Sequence, residues 1–254
     1  YGFTICRGRA EFANAETLLC DGEKVSAPSY LIATGASPAV PPIPGLRDAG
    51  YLTSTTALEL REPPRELVVI GANAVGLEMG QLFMRLGARV TFLDVAPRIT
   101  PFEEPEVSDA MRAILEEEGG AVVTGASISS VVADGAGRLV TFEAAGSEHR
   151  ISADQVLIAT GRRPNTADLG LEKAGVEVTE RGAVLVDDGL RTSNPPGLGG
   201  RRCDRPPTVR VRRGLRGQPG GAQRDHRGGS QNRLPGAAPR DLHRPHCGRG
   251  RAHR

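Results

Sequence analysis

A continuous apolar run at residues 67–70 is followed by a glycine turn and then by apolar residues at helical spacing. The run has the length of a buried strand. The periodic residues 77–86 predict an amphipathic helix that Gly87 ends. A further strand is predicted at 89–93. Strand, turn, helix and strand in this order predict a βαβ unit with a parallel sheet covered by helices.

The pattern elsewhere predicts one more helix and several strands. Apolar positions on one face predict an acidic helix over 106–118, which two glycines end. Short alternating runs predict strands after that helix and a small antiparallel meander before residue 30. These strands are predicted at 4–6, 17–20, 121–124, 128–132 and 139–142.

Two similar segments bracket the βαβ unit. Each of them, at residues 32–35 and 158–161, reads Ile-Ala-Thr-Gly and is followed by a proline three residues after the glycine. Their placement predicts that the chain leaves one domain at the first copy and returns to it at the second. The alternative is two unrelated strand-to-loop turns.

The turn after the first predicted strand has the spacing of a dinucleotide-binding fingerprint, with Gly71, Asn73 and Gly76 at the glycine positions. Gly71 makes the turn, and Gly76 allows close packing of helix on strand. Asn73 crowds the pyrophosphate approach, but asparagine tolerates left-handed backbone, so we expect the turn to form. The free N–H groups at the start of the helix favour a pyrophosphate.

Asp94 follows the second predicted strand at about the 20-residue spacing expected for the acid that binds an adenosine ribose. In that role it would favour NAD; the alternative is a solvated carboxylate at a strand end. Arg98 would instead favour NADP if it accepted a 2′-phosphate. The sequence leaves this choice open.

Charge divides the chain into two parts. Residues 1–195 carry 17 Lys+Arg and 27 Asp+Glu, whereas residues 196–254 carry 15 Arg and 3 Asp. The second part has no Ile, Phe, Tyr, Met or Trp, so it has little apolar surface to offset an ordering cost of about 1–2 kcal/mol per residue. We therefore expect residues 196–254 to be disordered. An Arg/Gly-rich tail that binds nucleic acid is the alternative, although this tail lacks aromatic residues for base stacking.

Apolar runs and cysteines give no sign of a membrane or metal protein. No run approaches the roughly 18 residues of a membrane span. The cysteines, at 6, 20, 203 and 247, form no close pair suited to a redox disulfide or a zinc site, which predicts free thiols. We expect a cytoplasmic protein with no bound metal.

These motifs resemble the pyridine nucleotide–disulfide oxidoreductases, flavoenzymes whose NAD(P) domain is inserted into an FAD domain. The resemblance covers residues 1–195. Segments 33–46, 51–58 and 191–195 are most similar to the branch that reduces Hg(II); the dihydrolipoyl dehydrogenases are the alternative branch. The resemblance implies an α/β fold with a Rossmann-like NAD(P)-binding domain at 63–150 inside an incomplete FAD-binding domain. That second domain would comprise residues 1–62 and a return segment, 151–195.

The resemblance also implies roles for individual residues. Glu78 would lie on the nicotinamide side, although a carboxylate near the positive end of the helix dipole is the alternative. Ala74 stands where some relatives have an aromatic residue over the nicotinamide pocket. The implied NAD(P) residues are Gly71, Asn73, Ala74, Val75, Gly76, Glu78, Asp94 and Gly161, and those near FAD are Thr34, Gly35, Thr160 and Arg162.

The implied reaction passes hydride from NAD(P)H to FAD, and then electrons to a Cys-x-x-x-x-Cys disulfide and to Hg(II) or a disulfide substrate, in a homodimer. The sequence contains no such cysteine pair. It also lacks the family's N-terminal flavin fingerprint and its dimerisation domain. We therefore assign no catalytic residue, and we expect the isolated chain to be inactive and to bind FAD weakly or not at all.

The family's second flavin motif, a strand that ends in Ala-Gly-Asp, is expected just after residue 195. One permitted codon choice for residues 196–213, read one base later, encodes Ala-Ala-Gly-Asp there. Residues 233–247, shifted in the same way, resemble the start of the dimerisation domain. We therefore interpret the tail as the product of a shifted reading frame.

Overall fold

A computed structural model describes residues 2–194 and a strand at 208–211, and its mixed α/β architecture confirms the predicted class. The helices are α1 (Leu46–Ala49), α2 (Ser54–Ala57), α3 (Ala74–Arg85) and α4 (Pro105–Glu117). The strands are β1 (Ala10–Phe12), β2 (Leu18–Cys20), β3 (Glu23–Val25), β4 (Ser29–Ile32), β5 (Ala36–Pro38), β6 (Glu66–Ile70), β7 (Arg89–Asp94), β8 (Ala121–Thr124), β9 (Ser127–Asp134), β10 (Gly137–Ala144), β11 (Ser147–Ala153), β12 (Gln155–Ile158), β13 (Arg162–Pro164) and β14 (Thr208–Val211).

The centre of the fold is a parallel sheet with the order β12-β6-β7-β8. Its strands β6 and β7 and the helix α3 between them are the βαβ unit predicted from the apolar pattern. The edge strand β12 lies within the segment 151–195 that the sequence assigned to the returning flavin domain. It pairs with β6 along all four of its residues, from Gln155 with Leu67 to Ile158 with Ile70.

Alternate side chains of the parallel sheet enter two different cores. Leu67 and Val69 face α3 and α4, together with Phe83 and Phe92. Val68 and Ile70 face the opposite side, which an antiparallel sheet of order β11-β10-β9 covers. The prediction of helices over the sheet is therefore correct for one face and wrong for the other. Both faces are apolar because both are covered.

The N-terminal residues form the predicted antiparallel meander, β1-β2-β3. Its first strand is Ala10–Phe12 and not residues 4–6, since Phe12 is the side chain that reaches the core. That core also contains Tyr30 and, from the return segment, Leu171 and Val184. Segments that precede β6 and that follow β12 in the chain therefore share one core.

Cys6 and Cys20 form a disulfide across this meander, so the prediction of free thiols is wrong for these two residues. They are 14 residues apart, and only the folding back of the chain brings them together. Cys203 and Cys247 lie outside the described residues.

Four residues of the predicted disordered tail are described, and they form β14, which pairs in parallel with β4. For these four residues the structure shows a strand and not disorder. The prediction for the rest of 196–254 lies outside the described residues. Within the described part of the chain, no helix has both the length and the apolarity needed to cross a membrane.

Candidate functional site

The turn between β6 and α3 depends on two glycines. Gly71 has φ 104°, and a Cβ there would lie 2.5 Å from the carbonyl oxygen of Ala159. A Cβ on Gly76 would lie 1.8 Å from the carbonyl oxygen of Gly71. Since real Cβ contacts do not come this close, a side chain at either position would push α3 away from β6 and β12.

The turn forms at Asn73, as expected, without needing the left-handed backbone that asparagine tolerates. Asn73 has φ −107° and is the N-cap of α3, with its Oδ1 accepting a hydrogen bond from the Ala74 N–H at 2.9 Å. The helix therefore begins three residues before the predicted start at Leu77. Asparagine is a favoured N-cap residue. Its hydrogen bond to the Ala74 N–H helps to form the turn at the position where the fingerprint has a glycine. The next two N–H groups, of Val75 and Gly76, lack intrahelical acceptors, whereas the Leu77 N–H donates to the carbonyl oxygen of Asn73 at 3.0 Å.

Ala72 is held at both of its backbone polar groups. Its N–H donates to Oδ2 of Asp94 at 2.6 Å, and its carbonyl oxygen accepts from the Thr100 N–H at 3.0 Å. The other oxygen of Asp94 accepts from the Ala96 N–H at 2.8 Å. The turn is thus fixed by the segment that follows β7. Each carboxylate oxygen keeps a further lone pair for a hydroxyl donor.

Thr100 joins this turn to α4. It is buried with φ 43°, a backbone conformation that is rare for a β-branched residue. Its hydroxyl lies 3.2 Å from that of Ser108, which is also buried. Sequence reasoning missed Ala72 and Thr100, because a positive φ at threonine and a backbone contact across the turn leave no pattern in the sequence.

Arg98 points into its own loop. Its Nη2 donates to the carbonyl oxygens of Pro101 at 3.0 Å and Glu103 at 2.8 Å. The side chain of Val95, next to Asp94, is instead 78% exposed. Arg98, which the sequence suggested as a 2′-phosphate ligand, therefore binds carbonyl oxygens of its own loop. The residue next to Asp94 is the apolar Val95.

The remaining predicted residues of this site lie around the same edge of the sheet. Ala74 and Glu78 are exposed on α3, and Val75 is half-buried. Gly161 follows the end of β12, which neighbours β6, and has φ 118° with open space where a Cβ would stand.

The two Thr-Gly turns meet in the structure. Strands β5 and β13, which follow them, pair antiparallel, and the amide of Asn165 donates to the carbonyl oxygen of Thr34 at 3.0 Å. Asn165 N–H donates to the carbonyl oxygen of Gly35 at 3.0 Å. The hydroxyl of Thr160 donates to the carbonyl oxygen of Ala39 at 2.9 Å.

Arg162 also donates a hydrogen bond to the carbonyl oxygen of Ala36. The polar groups of Thr160 and Arg162 thus hold the two Thr-Gly segments together. A cleft of about 740 Å³ opens beside them, lined by Thr160, Gly161 and Arg162 and by the return segment up to Gly182.

Comparisons with known proteins agree on one family. The profile described as pyridine nucleotide-disulphide oxidoreductase matches residues 1–197. A mercuric reductase of Staphylococcus aureus is 45% identical over 76% of this chain and 36% of its own length. A dihydrolipoyl dehydrogenase of Thermus scotoductus is 42% identical over 75% of this chain and 42% of its own.

A solved structure, the HOCl-induced flavoprotein disulfide reductase RclA from Escherichia coli, is 31% identical with a TM-score of 0.69. The match covers 80% of this chain and 44% of that one. The chain thus spans less than half the length of these relatives. The family match ends at residue 197, next to the change in composition at 195.

Proposed function

Since the chain belongs to the pyridine nucleotide-disulphide oxidoreductase family, we propose that it is the nucleotide-binding part of a flavoenzyme that oxidises NAD(P)H and reduces Hg(II). Similarity to mercuric reductases supports this substrate. A dihydrolipoyl dehydrogenase-like activity is the second candidate, because a member of that branch matches almost as well.

The preformed turn at Ala72 is the observation that carries the nucleotide proposal. Gly71 and Gly76 allow the turn and α3 to pack closely on each other and on Ala159, and the N–H groups of Val75 and Gly76 at the start of α3 remain for the pyrophosphate, which would rest there. Asp94 and Thr100 hold the turn in place without the ligand, so little ordering remains to be done on binding. Glu78 and Gly161 would border the nicotinamide end.

We propose a preference for NADH over NADPH. The Asp94 carboxylate has lone pairs free for the ribose 2′- and 3′-hydroxyl groups and would repel a 2′-phosphate. Arg98 is engaged with two carbonyl oxygens of its own loop. Val95 offers an exposed apolar contact for the adenine.

The flavin part of the proposal rests on the pairing of the two Thr-Gly segments. Thr34, Gly35, Thr160 and Arg162 would border FAD, which when bound would accept hydride from the nicotinamide and pass electrons to a disulfide. In this chain those residues make the hydrogen bonds that join the two Thr-Gly segments. We propose a homodimer in the cytoplasm for the whole protein, on the resemblance to the family.

Titration of the chain with NADH and with NADPH, followed by calorimetry, tests the nucleotide proposal. We expect stoichiometric NADH binding and at least tenfold weaker NADPH binding. Tighter binding of NADPH would refute the preference, and binding of neither would refute the site. ADP-ribose separates the two ends of the cofactor, because the pyrophosphate and ribose contacts alone should retain most of the affinity.

The substrate test requires the intact enzyme, with the flavin fingerprint and the Cys-x-x-x-x-Cys pair that this sequence lacks and with the reading frame restored after residue 195. We expect NADH-dependent loss of Hg(II) to exceed NADH-dependent reduction of lipoamide. The reverse order would favour the dihydrolipoyl dehydrogenase-like alternative.

A further inference from the structure

The disulfide of Cys6 and Cys20 lies far along the chain from the residues assigned to the nucleotide. The two Cα atoms are 6.7 Å apart. Cys6 is exposed, whereas Cys20 is buried at the end of β2. Cys6 is therefore accessible to thiols and metal ions in solution, whereas Cys20 is held in place by the sheet.

Two hydrogen bonds beside the disulfide join the segment of Cys6 to that of Cys20. The Arg9 N–H donates to Oδ1 of Asp21 at 2.7 Å, and the Asp21 N–H donates to the carbonyl oxygen of Arg9 at 3.0 Å. These bonds extend the pairing of β1 and β2 by one position. They place the segment that carries Cys6 next to the turn that follows Cys20.

Gly8 allows this segment to cross the turn. A Cβ at Gly8 would lie 2.2 Å from Oδ2 of Asp21, the side chain that already accepts the Arg9 N–H. An alanine there would displace the Asp21 carboxylate and with it the hydrogen bond from the Arg9 N–H, one of the two bonds at this fold-back of the chain.

We propose that Cys6 and Cys20, once reduced, form a binding site for a single soft, two-coordinate metal cation such as Hg(II). Thiolates select soft ions. Within the described part of the chain, no group of three or more His, Cys, Asp or Glu is placed to hold a metal. Among the described residues the site thus offers two sulfurs and no third protein ligand, which suits an ion satisfied by two thiolates and disfavours zinc, which takes four ligands in structural sites.

The chemistry needs a reductant, for which a cellular dithiol is suited. Its two thiols reduce the Cys6–Cys20 bond, giving two protein thiols and the oxidised dithiol. Hg(II) then displaces the two thiol protons and forms two Hg–S bonds. The disulfide and the metal complex exclude each other, so the redox state of the pair controls binding.

The test uses the full chain with C203S and C247S, so that the remaining thiols are Cys6 and Cys20. The protein is reduced, freed of reductant under nitrogen and titrated with HgCl₂ against a monothiol competitor. We expect one Hg(II) per chain and a thiolate–mercury charge-transfer band in the ultraviolet, whereas the oxidised protein should bind none. Since a chelate gains an effective concentration, C6S or C20S should weaken binding by about 10²–10⁴-fold.

Two glycine variants test the role of the fold-back. G8A should weaken binding, because its methyl group displaces Asp21. G2A is the matched control, since a Cβ there meets nothing within 4 Å, and it should bind as the parent does. Equal affinity of C6S and the parent would overturn the proposal, as would binding to the oxidised protein. C6S removes an exposed side chain, so its fold is not at risk. The readout involves no dinucleotide, so failure here leaves the proposed function untouched.

Discussion

Asp94→Ala would remove the two oxygens that hold the nucleotide turn. In the folded chain one oxygen accepts the Ala72 N–H and the other the Ala96 N–H. Ala72 is fully buried, so its N–H would lose its acceptor without gaining water. The variant thus removes the support of the turn and the proposed ribose ligand together.

The size of the effect follows from these contacts. Hydrogen bonds to charged groups contribute about 1.5–3 kcal/mol, and a buried donor left unsatisfied costs about 1–3 kcal/mol. We expect the free energy of unfolding to fall by about 2–3 kcal/mol, because Ala96 N–H can be hydrated. Loss of the ribose contacts should weaken NADH binding by about 10- to 100-fold, at 1.4 kcal/mol per factor of ten. NADPH binding should change much less, because the repulsion of its 2′-phosphate disappears.

Asp154→Ala is the matched control. Oδ2 of Asp154 accepts the N–H groups of Arg65 and Glu66 at 2.8 and 3.1 Å, at the opposite end of β6. Asp154 is exposed, so its loss should cost about 0.5–1.5 kcal/mol of stability. It should leave the ratio of NADH to NADPH affinity unchanged.

The assay is urea unfolding of each variant, together with calorimetric titration of both dinucleotides at a temperature where each variant is folded. If Asp94→Ala kept the parent's ratio of NADH to NADPH affinity, the ribose role of Asp94 would be refuted. If Asp154→Ala changed the ratio equally, the effect would be one of general stability.

Three further predictions address the helix, an ion pair and the tail. Gly76→Ala should destabilise the fold by about 1–3 kcal/mol and weaken dinucleotide binding. Gly80→Ala, whose methyl group meets the ring of Phe92, should destabilise the fold without weakening that binding. Equal dinucleotide affinities in the two variants would contradict this prediction. The hydrogen bond from Arg85 lowers the pKa of Glu118 below its ordinary 4.5, so that its contribution to stability is complete above pH 4.5 and is lost as the pH falls through the lower folded value. The difference in urea midpoint between the parent and Arg85→Met should therefore shrink below pH 4.5, and a constant difference would argue against the ion pair. DNA sequencing across the codons for residues 192–200 should find a one-base error or insertion, and a confirmed frame would leave the tail without this explanation.

Local pattern and turn chemistry predicted much of the fold and of the candidate site. The strand, glycine turn and helix around Gly71 and Gly76 were predicted because their periodicity and turn residues are contiguous. Asp94 was placed at the right strand end by spacing alone. The two Thr-Gly turns were predicted to share a location, and their hydrogen bonds through Asn165 place them side by side.

The sequence failed where contacts join distant or unpatterned residues. The turn at Asn73 forms as expected, but the N-cap role of Asn73 was not predicted, because spacing showed only a missing glycine. The antiparallel sheet over the second face was missed, since a fully apolar strand does not reveal what covers it. The disulfide between Cys6 and Cys20 joins residues 14 apart in the chain, a contact that spacing does not indicate.

By itself, then, the sequence determined the elements and the chemical types available: a dinucleotide turn, an acid at the end of the next strand, and a charge break near residue 195. These follow from interactions between near neighbours, which leave periodic or short-range patterns. Tertiary structure decided how those groups are used. It placed Thr100 against Ala72, turned Arg98 into its own loop and brought two cysteines together, because each contact depends on backbone directions set by packing elsewhere in the chain.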